Sequence, residues 1–148
     1  MGGNADSLVD ADAVARAEAA VSSLAEAYVV WAKADAARLV ACHERLRSDP
    51  HGRRHHLSEI FRIAHDIKGQ AATFGFPLWS DIANRLCRLA KKCPAGDECW
   101  SEPIAAHVAV LDRVIAAGLG GGREAPLILA ELDKGSSHLL HDGASPID

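Results

Sequence analysis

No run of about 18 apolar residues occurs in the 148-residue chain, so the sequence offers no transmembrane helix and no membrane partner is expected. Aromatic residues make up only 5%, and strict apolar–polar alternation is missing, which argues against a strand-built core. Basic residues do not dominate: 16 Lys and Arg stand against 20 Asp and Glu, for a net charge of −4. A nucleic-acid footprint is normally basic, so no nucleic-acid partner is expected either. Cysteine is too sparse for a disulfide scaffold, with Cys42, Cys87, Cys93 and Cys99 alone. The stretch from Met1 to Asp12 has acidic residues and no basic leader ahead of an apolar run, so it does not read as a signal peptide. Reduced thiols in a cytoplasmic protein are the simplest reading. There is also no nucleotide-binding motif and no evident pair of catalytic carboxylates. The glycine cluster Gly118 to Gly122 lacks the Lys-Ser/Thr that would make a phosphate-cradling loop.

What the chain does have is alanine, 28 residues of it, in a composition that is 49% hydrophobic and 24% charged. That balance suits closely packed helices. Gly, Pro and Ser punctuation divides the sequence into lengths typical of helices. Asp10 to Leu46 is nearly unbroken helix-forming sequence. It reads as a short N-terminal helix, with Ser22 or Ser23 as a cap, then a longer helix through Leu24, Tyr28, Trp31, Leu39 and Leu46. A second segment, Arg53 to Phe74, stops at Gly75-Phe76-Pro77. A third, Leu78 to Lys92, stops at Cys93-Pro94-Ala95-Gly96. A fourth starts near Ser101-Glu102-Pro103 and ends at the glycine cluster, and a short amphipathic piece covers Pro126 to Lys134. Short connections favour antiparallel neighbours. The expectation is an all-α, up-and-down four-helix bundle over residues 10–134, with short extra helices at both ends and tails at 1–9 and 135–148.

The second segment carries the chemistry. On a wheel of 100° per residue with His65 at zero, Ile60, Ile63, Ile67 and Phe74 fall at roughly 160° to 220°, a stripe that must face the core. His65 points the other way, on the side that also holds Ser58, Phe61, Arg62, Lys68, Gly69 and Ala72. Glycine inside a helix costs about 1 kcal/mol relative to alanine, so Gly69 needs a reason. With no side chain there, a bulky group or a docking protein can approach the imidazole. Lys68 places an ammonium beside the ring, where it would offset the charge of an acquired phosphoryl group. Exposed His, neighbouring Lys and adjacent Gly are coherent as a phosphoryl acceptor, although a lone surface histidine is usually only a solvated side chain.

The other candidates are weaker. Cys87, Cys93, Cys99 and His107 lack the close ligand pairs of a structural zinc site, so no metal is expected. His51, His55 and His56 beside Arg53 and Arg54 read as a solvated cluster near a loop, with a small anion-binding or partner-contact patch as the alternative. Arg88, Lys91 and Lys92 read as a solvated helix face from which Arg88 or Lys91 could support a phosphoryl group. Phe61 either packs on a neighbouring helix or forms part of an apolar docking surface.

The run His65-Asp66-Ile67-Lys68-Gly69-Gln70-Ala71-Ala72-Thr73-Phe74-Gly75 resembles the signature of histidine phosphotransfer (HPt) domains. That signature is a histidine, an aliphatic residue two positions on, Lys-Gly, a small residue two further, and a second glycine. His65, Ile67, Lys68, Gly69, Ala71 and Gly75 match it. The resemblance implies a bacterial-type two-component phosphorelay in which His65 takes a phosphoryl group from a receiver-domain aspartate and gives it to another. Lys68 is then electrostatic support, and Gly69 is steric clearance. Gly75 ends the helix, and Phe61, Arg62, Lys68, Gly69 and Ala72 form the partner face. The implied partners are response-regulator receiver domains and a hybrid histidine kinase. The receiver, not this chain, would hold Mg²⁺, and the chain would be a cytoplasmic, monomeric phosphocarrier rather than an enzyme. Alternatives are a helical adaptor that is never phosphorylated and a fragment related to the phosphotransfer module of chemotaxis-type kinases. One departure stands out. Many members carry an amide near the histidine from the third bundle helix, where this chain has Cys87, 22 residues after His65. Asn84 or Arg88 are possible substitutes, and Gln70 lies where it could brace the core boundary.

Overall fold

The computed structural model describes residues 3–93 and 100–142. Helix α1 runs Gly3–Ser48 without interruption, α2 Arg53–Phe74, α3 Pro77–Lys92, α4 Ser101–Ala117 and α5 Ala125–Asp142, with one turn of 3-10 helix at Pro50–Gly52. No strand occurs among the described residues. Among the described residues, no helix is long and apolar enough to cross a membrane.

The two N-terminal helices expected from the sequence are one. Neither glycine nor proline occurs between Asn4 and Ser48, and a serine that can cap a helix does not by itself stop one. Within α1, Tyr28, Ala32, Ala36, Leu39, Cys42 and Leu46 are buried, at spacings of three and four that keep one face on the bundle. Leu24 and Trp31, read as part of the same stripe, are exposed at 57% and 68%. Residues 10–24 are all exposed, so this part of α1 overhangs the bundle. Pro50, which has no N–H to donate, follows the last helical turn. Asp49 accepts from the Gly52 N–H at 3.1 Å and lies 3.0 Å from Nε2 of His56.

Helix α1 packs on α2 and α4, α2 on α3, and α3 on α4, which closes a four-helix ring. Ile60, Ile63, Ala64 and Ile67 meet Trp79, Ile82, Leu86 and Leu89 of α3 and Ile104, Leu111 and Ile115 of α4 in one core. Gly75 takes the left-handed conformation at φ 88°, and the Phe76 N–H donates to the Ala71 carbonyl at 2.8 Å, ending α2. Pro77 then starts α3 with a preset φ. Gly118 (φ 70°) ends α4 in the same way. The glycine loop folds back on the start of α3, where Leu119 and Gly120 carbonyls accept from the Trp79 indole (2.9 Å) and the Leu78 N–H (2.7 Å). Gly120 is needed there because a Cβ would press into Phe76.

Helix α5 is longer than its expected end at Lys134 and occupies part of the supposed C-terminal tail. A Cβ at Gly135 would have open space, the Ser136 hydroxyl donates back to the Leu132 carbonyl at 2.9 Å, and Leu139 is buried, so helix and packing both continue. Arg85 of α3 clamps α5 through a two-pronged contact with Asp133 at 2.9 and 3.2 Å. Cys99 and the turn residues 94–96 lie outside the described residues.

Candidate functional site

The isoleucine stripe of α2 is buried as its register requires, and Phe74 at its end is half-buried, stacked on Tyr28 at 5.0 Å. His65 is thereby turned to solvent and is exposed. None of the described residues hydrogen-bonds its ring. On the N-terminal side Phe61 stacks on it, with ring centroids 5.8 Å apart and planes at 26°. On the C-terminal side a Cβ built on Gly69 meets no heavy atom within 4 Å beyond its chain neighbours and the local helix backbone. The fold itself therefore has no use for the missing side chain. A shallow depression bounded by His65, Asp66, Gly69, Gln70, Thr73 and Phe74 lies on this open flank.

Lys68 is exposed on the same helix, and its carbonyl accepts from the Ser80 hydroxyl of α3 at 2.8 Å, tying the turn after His65 to the neighbouring helix. Cys87 is buried. Its thiol points at the Phe61 carbonyl, 3.7 Å away, and not at the histidine. Burial pushes this thiol up to about 11, although the Lys68 charge pulls the other way. The place of the expected amide is thus spent on the α2 backbone, and neither Asn84 nor Arg88 hydrogen-bonds the ring in its stead.

Arg88 is exposed, and its charge adds to the main effect of Arg85 in holding the Asp133 carboxyl low, which places its influence toward α5. Lys91, one turn further along α3, is also exposed. It lines an open groove of about 560 Å³ between α2 and α3 together with Arg54, Leu57, Ser58, Phe61, Ala90 and Cys93. Arg62 is exposed and pairs with Glu59 at 3.6 Å, a surface contact of small energetic weight. Ala72 is exposed and adds no bulk beside the site, whereas Gly75 acts as the helix terminator already described. Gln70 is exposed rather than bracing the core boundary, because the bundle face turns away before its position.

The supposed solvated histidine cluster divides. His51 and His55 are exposed, but His56 is buried against Asp49, since the tight Asp49–Gly52 turn folds that carboxylate over it. Arg54 was read only with the cluster near the loop and its link to the Phe61 groove was missed, although it lies seven residues before Phe61 and so shares its face. Ser80 was missed as well, and nothing in the local pattern marks a hydroxyl that reaches back across a turn. No set of three or more His, Cys, Asp or Glu side chains that could hold a metal ion occurs among the described residues.

The face around His65 thus carries Arg54, Arg62, Lys68 and Lys91 against Glu59 and Asp66, a locally basic surface on a chain of net charge −4. Such a surface draws in anionic groups. A model of the Hpt domain matches residues 11–117, which span most of α1 and all of α2 to α4 and leave α5 outside. No curated protein and no solved structure matched the chain. With 107 of 148 residues matched and the signature histidine outward on the second helix, the chain belongs to the Hpt-domain family, the histidine phosphotransfer modules of phosphorelays.

Proposed function

We propose that this chain is a phosphocarrier that accepts a phosphoryl group on His65 from the aspartate of one receiver domain and passes it to the aspartate of another. The observation that carries this reading is the outward imidazole with open space at Gly69. A ring nitrogen lone pair attacks the phosphorus, the N–P bond forms, and the P–O bond to the aspartate breaks. The electron pair of that bond leaves on the carboxylate. With Nε2 as nucleophile, Nδ1 keeps its hydrogen, so no proton acceptor is needed on this chain. The return step is the reverse reaction on a second aspartate. Lys68 offsets charge on the bound phosphoryl group, and Lys91 and Arg54 extend the positive field toward the groove. Mg²⁺ and the acid–base groups belong to the receiver, and a hybrid histidine kinase charges the first receiver. In this reading the carrier works as a cytoplasmic monomer.

The test is transfer from receiver domains charged with acetyl phosphate to wild type and to His65→Gln. Acid-labile, alkali-stable label on the wild type alone is the expected result. His65 is exposed, so the substitution should leave stability within about 0.5 kcal/mol. Equal labelling of His65→Gln overturns the assignment. Labelling by ATP without any partner would instead favour the kinase-module reading.

A further inference from the structure

An exposed histidine ordinarily samples several rotamers. Helical side chains lean toward the N-terminus of their helix, so the residue four positions earlier is the one an imidazole rests upon. In this chain that residue is Phe61, stacked at 5.8 Å and 26°. The opposite flank, at Gly69, is open. Phe61 is itself held: it is half-buried, packs against the core, and its carbonyl accepts from the Cys87 thiol at 3.7 Å. The ring of His65 therefore has an aromatic wall on one side, clearance on the other, and no hydrogen bond to set its angle.

We propose that Phe61 is a positioning residue for His65: it holds the imidazole by its face, in the role that a hydrogen-bonding amide would otherwise fill. This rests on the phosphocarrier reading and adds to it. A positioning residue acts inside the complex, on the rate of transfer. A docking residue acts on how much receiver is needed to form the complex. The two roles separate in a measurement of transfer rate against receiver concentration.

Two substitutions make the test. Phe61→Leu keeps an apolar side chain for packing and docking but has no ring to stack, whereas Phe61→Tyr keeps the ring. In the unphosphorylated protein, NMR resonances of the His65 ring protons should lose the ring-current displacement in Phe61→Leu and keep it in Phe61→Tyr. In single-turnover transfer, Phe61→Leu should lower the saturating rate about two- to tenfold, the range expected for one aromatic pair, with the half-saturating receiver concentration unchanged. Phe61→Tyr should restore the wild-type rate. Should Phe61→Leu lose its helical circular dichroism, Phe61→Met fills a similar volume and is read in the same way. The proposal is overturned by His65 resonances that ignore the substitution, or by a changed half-saturating concentration at an unchanged saturating rate. A wild type that takes no phosphoryl group overturns the carrier reading, and Phe61's part in transfer with it, even if the resonances report the stack.

Discussion

Replacing Gly69 sets the demands of the fold against those of the site. The residue lies inside α2, is not among the glycines with positive φ, and has nothing beyond its chain neighbours and the local helix backbone within 4 Å of where a Cβ would sit. Alanine there meets neither strain nor clash, and it removes backbone freedom from the unfolded chain. Gly69→Ala should therefore stabilise the protein by about 0.5–1 kcal/mol. For a chain of this size that raises the melting temperature by about 2–3 °C in a circular-dichroism melt. Gly135 of α5 is just as open and lies in a helix interior outside the Hpt match, so Gly135→Ala serves as a control with a rise of the same order. Function should divide the two positions. Gly69→Gln is also a better helix former than glycine, yet its side chain occupies the space beside His65. It should slow phosphoryl acceptance from a charged receiver about tenfold or more, since misplacing reacting groups by about 1 Å is costly. Gly135→Ala should transfer at the wild-type rate. Acceptance by Gly69→Gln at the wild-type rate would refute the clearance role, and a lower melting temperature for Gly69→Ala would refute the open geometry.

Stability should also fall in mild acid. His107 is fully buried and its Nδ1–H donates to the Pro103 carbonyl at 2.7 Å, while burial holds its pKa below the usual 6.5 despite that acceptor. Burial depresses His43 in the same direction. The unfolded chain therefore binds protons first. The stability is fully present above about pH 6.5 and is lost as pH drops from there toward the folded-state values. Urea midpoints should decline between about pH 7.5 and 5.5, and less steeply in His107→Phe; a flat profile would contradict the buried neutral ring. Cys87 offers a chemical check on the α2–α3 contact. With its thiol pushed up to about 11, it should resist iodoacetamide near pH 8 in the folded protein and react in urea, as read by mass spectrometry. Ready labelling of the native protein would show that the contact opens.

Much of the site was legible because it lies on one helix. The angular separation of His65 from Ile60, Ile63 and Ile67 follows from 3.6 residues per turn, and no tertiary information is needed to turn that ring outward. The stops at Gly75-Phe76-Pro77 and Gly118 were equally readable, since each is imposed by local backbone chemistry. Partnerships across helices were not. The Cys87 thiol bonds the Phe61 carbonyl over 26 residues, Ser80 reaches the Lys68 carbonyl over 12, and Arg85 holds Asp133 over 48. His56 was misread for the same reason, because its burial depends on a carboxylate brought over it by a turn.

The sequence by itself determined that the chain is helical, where most helices stop, and that His65, Lys68 and Gly69 share a face with clearance beside the ring. These follow from periodicity and from the backbone limits of glycine and proline, which act within a few residues. Only the tertiary structure decided how much of α1 packs on the bundle and that its N-terminal part overhangs it. The same is true of α5, which continues past Lys134 and docks through Asp133, and of Lys91 and Arg54, which meet in one groove with Phe61. Those outcomes depend on which surfaces meet when distant segments pack, and helical register fixes a residue's direction without naming what it will touch.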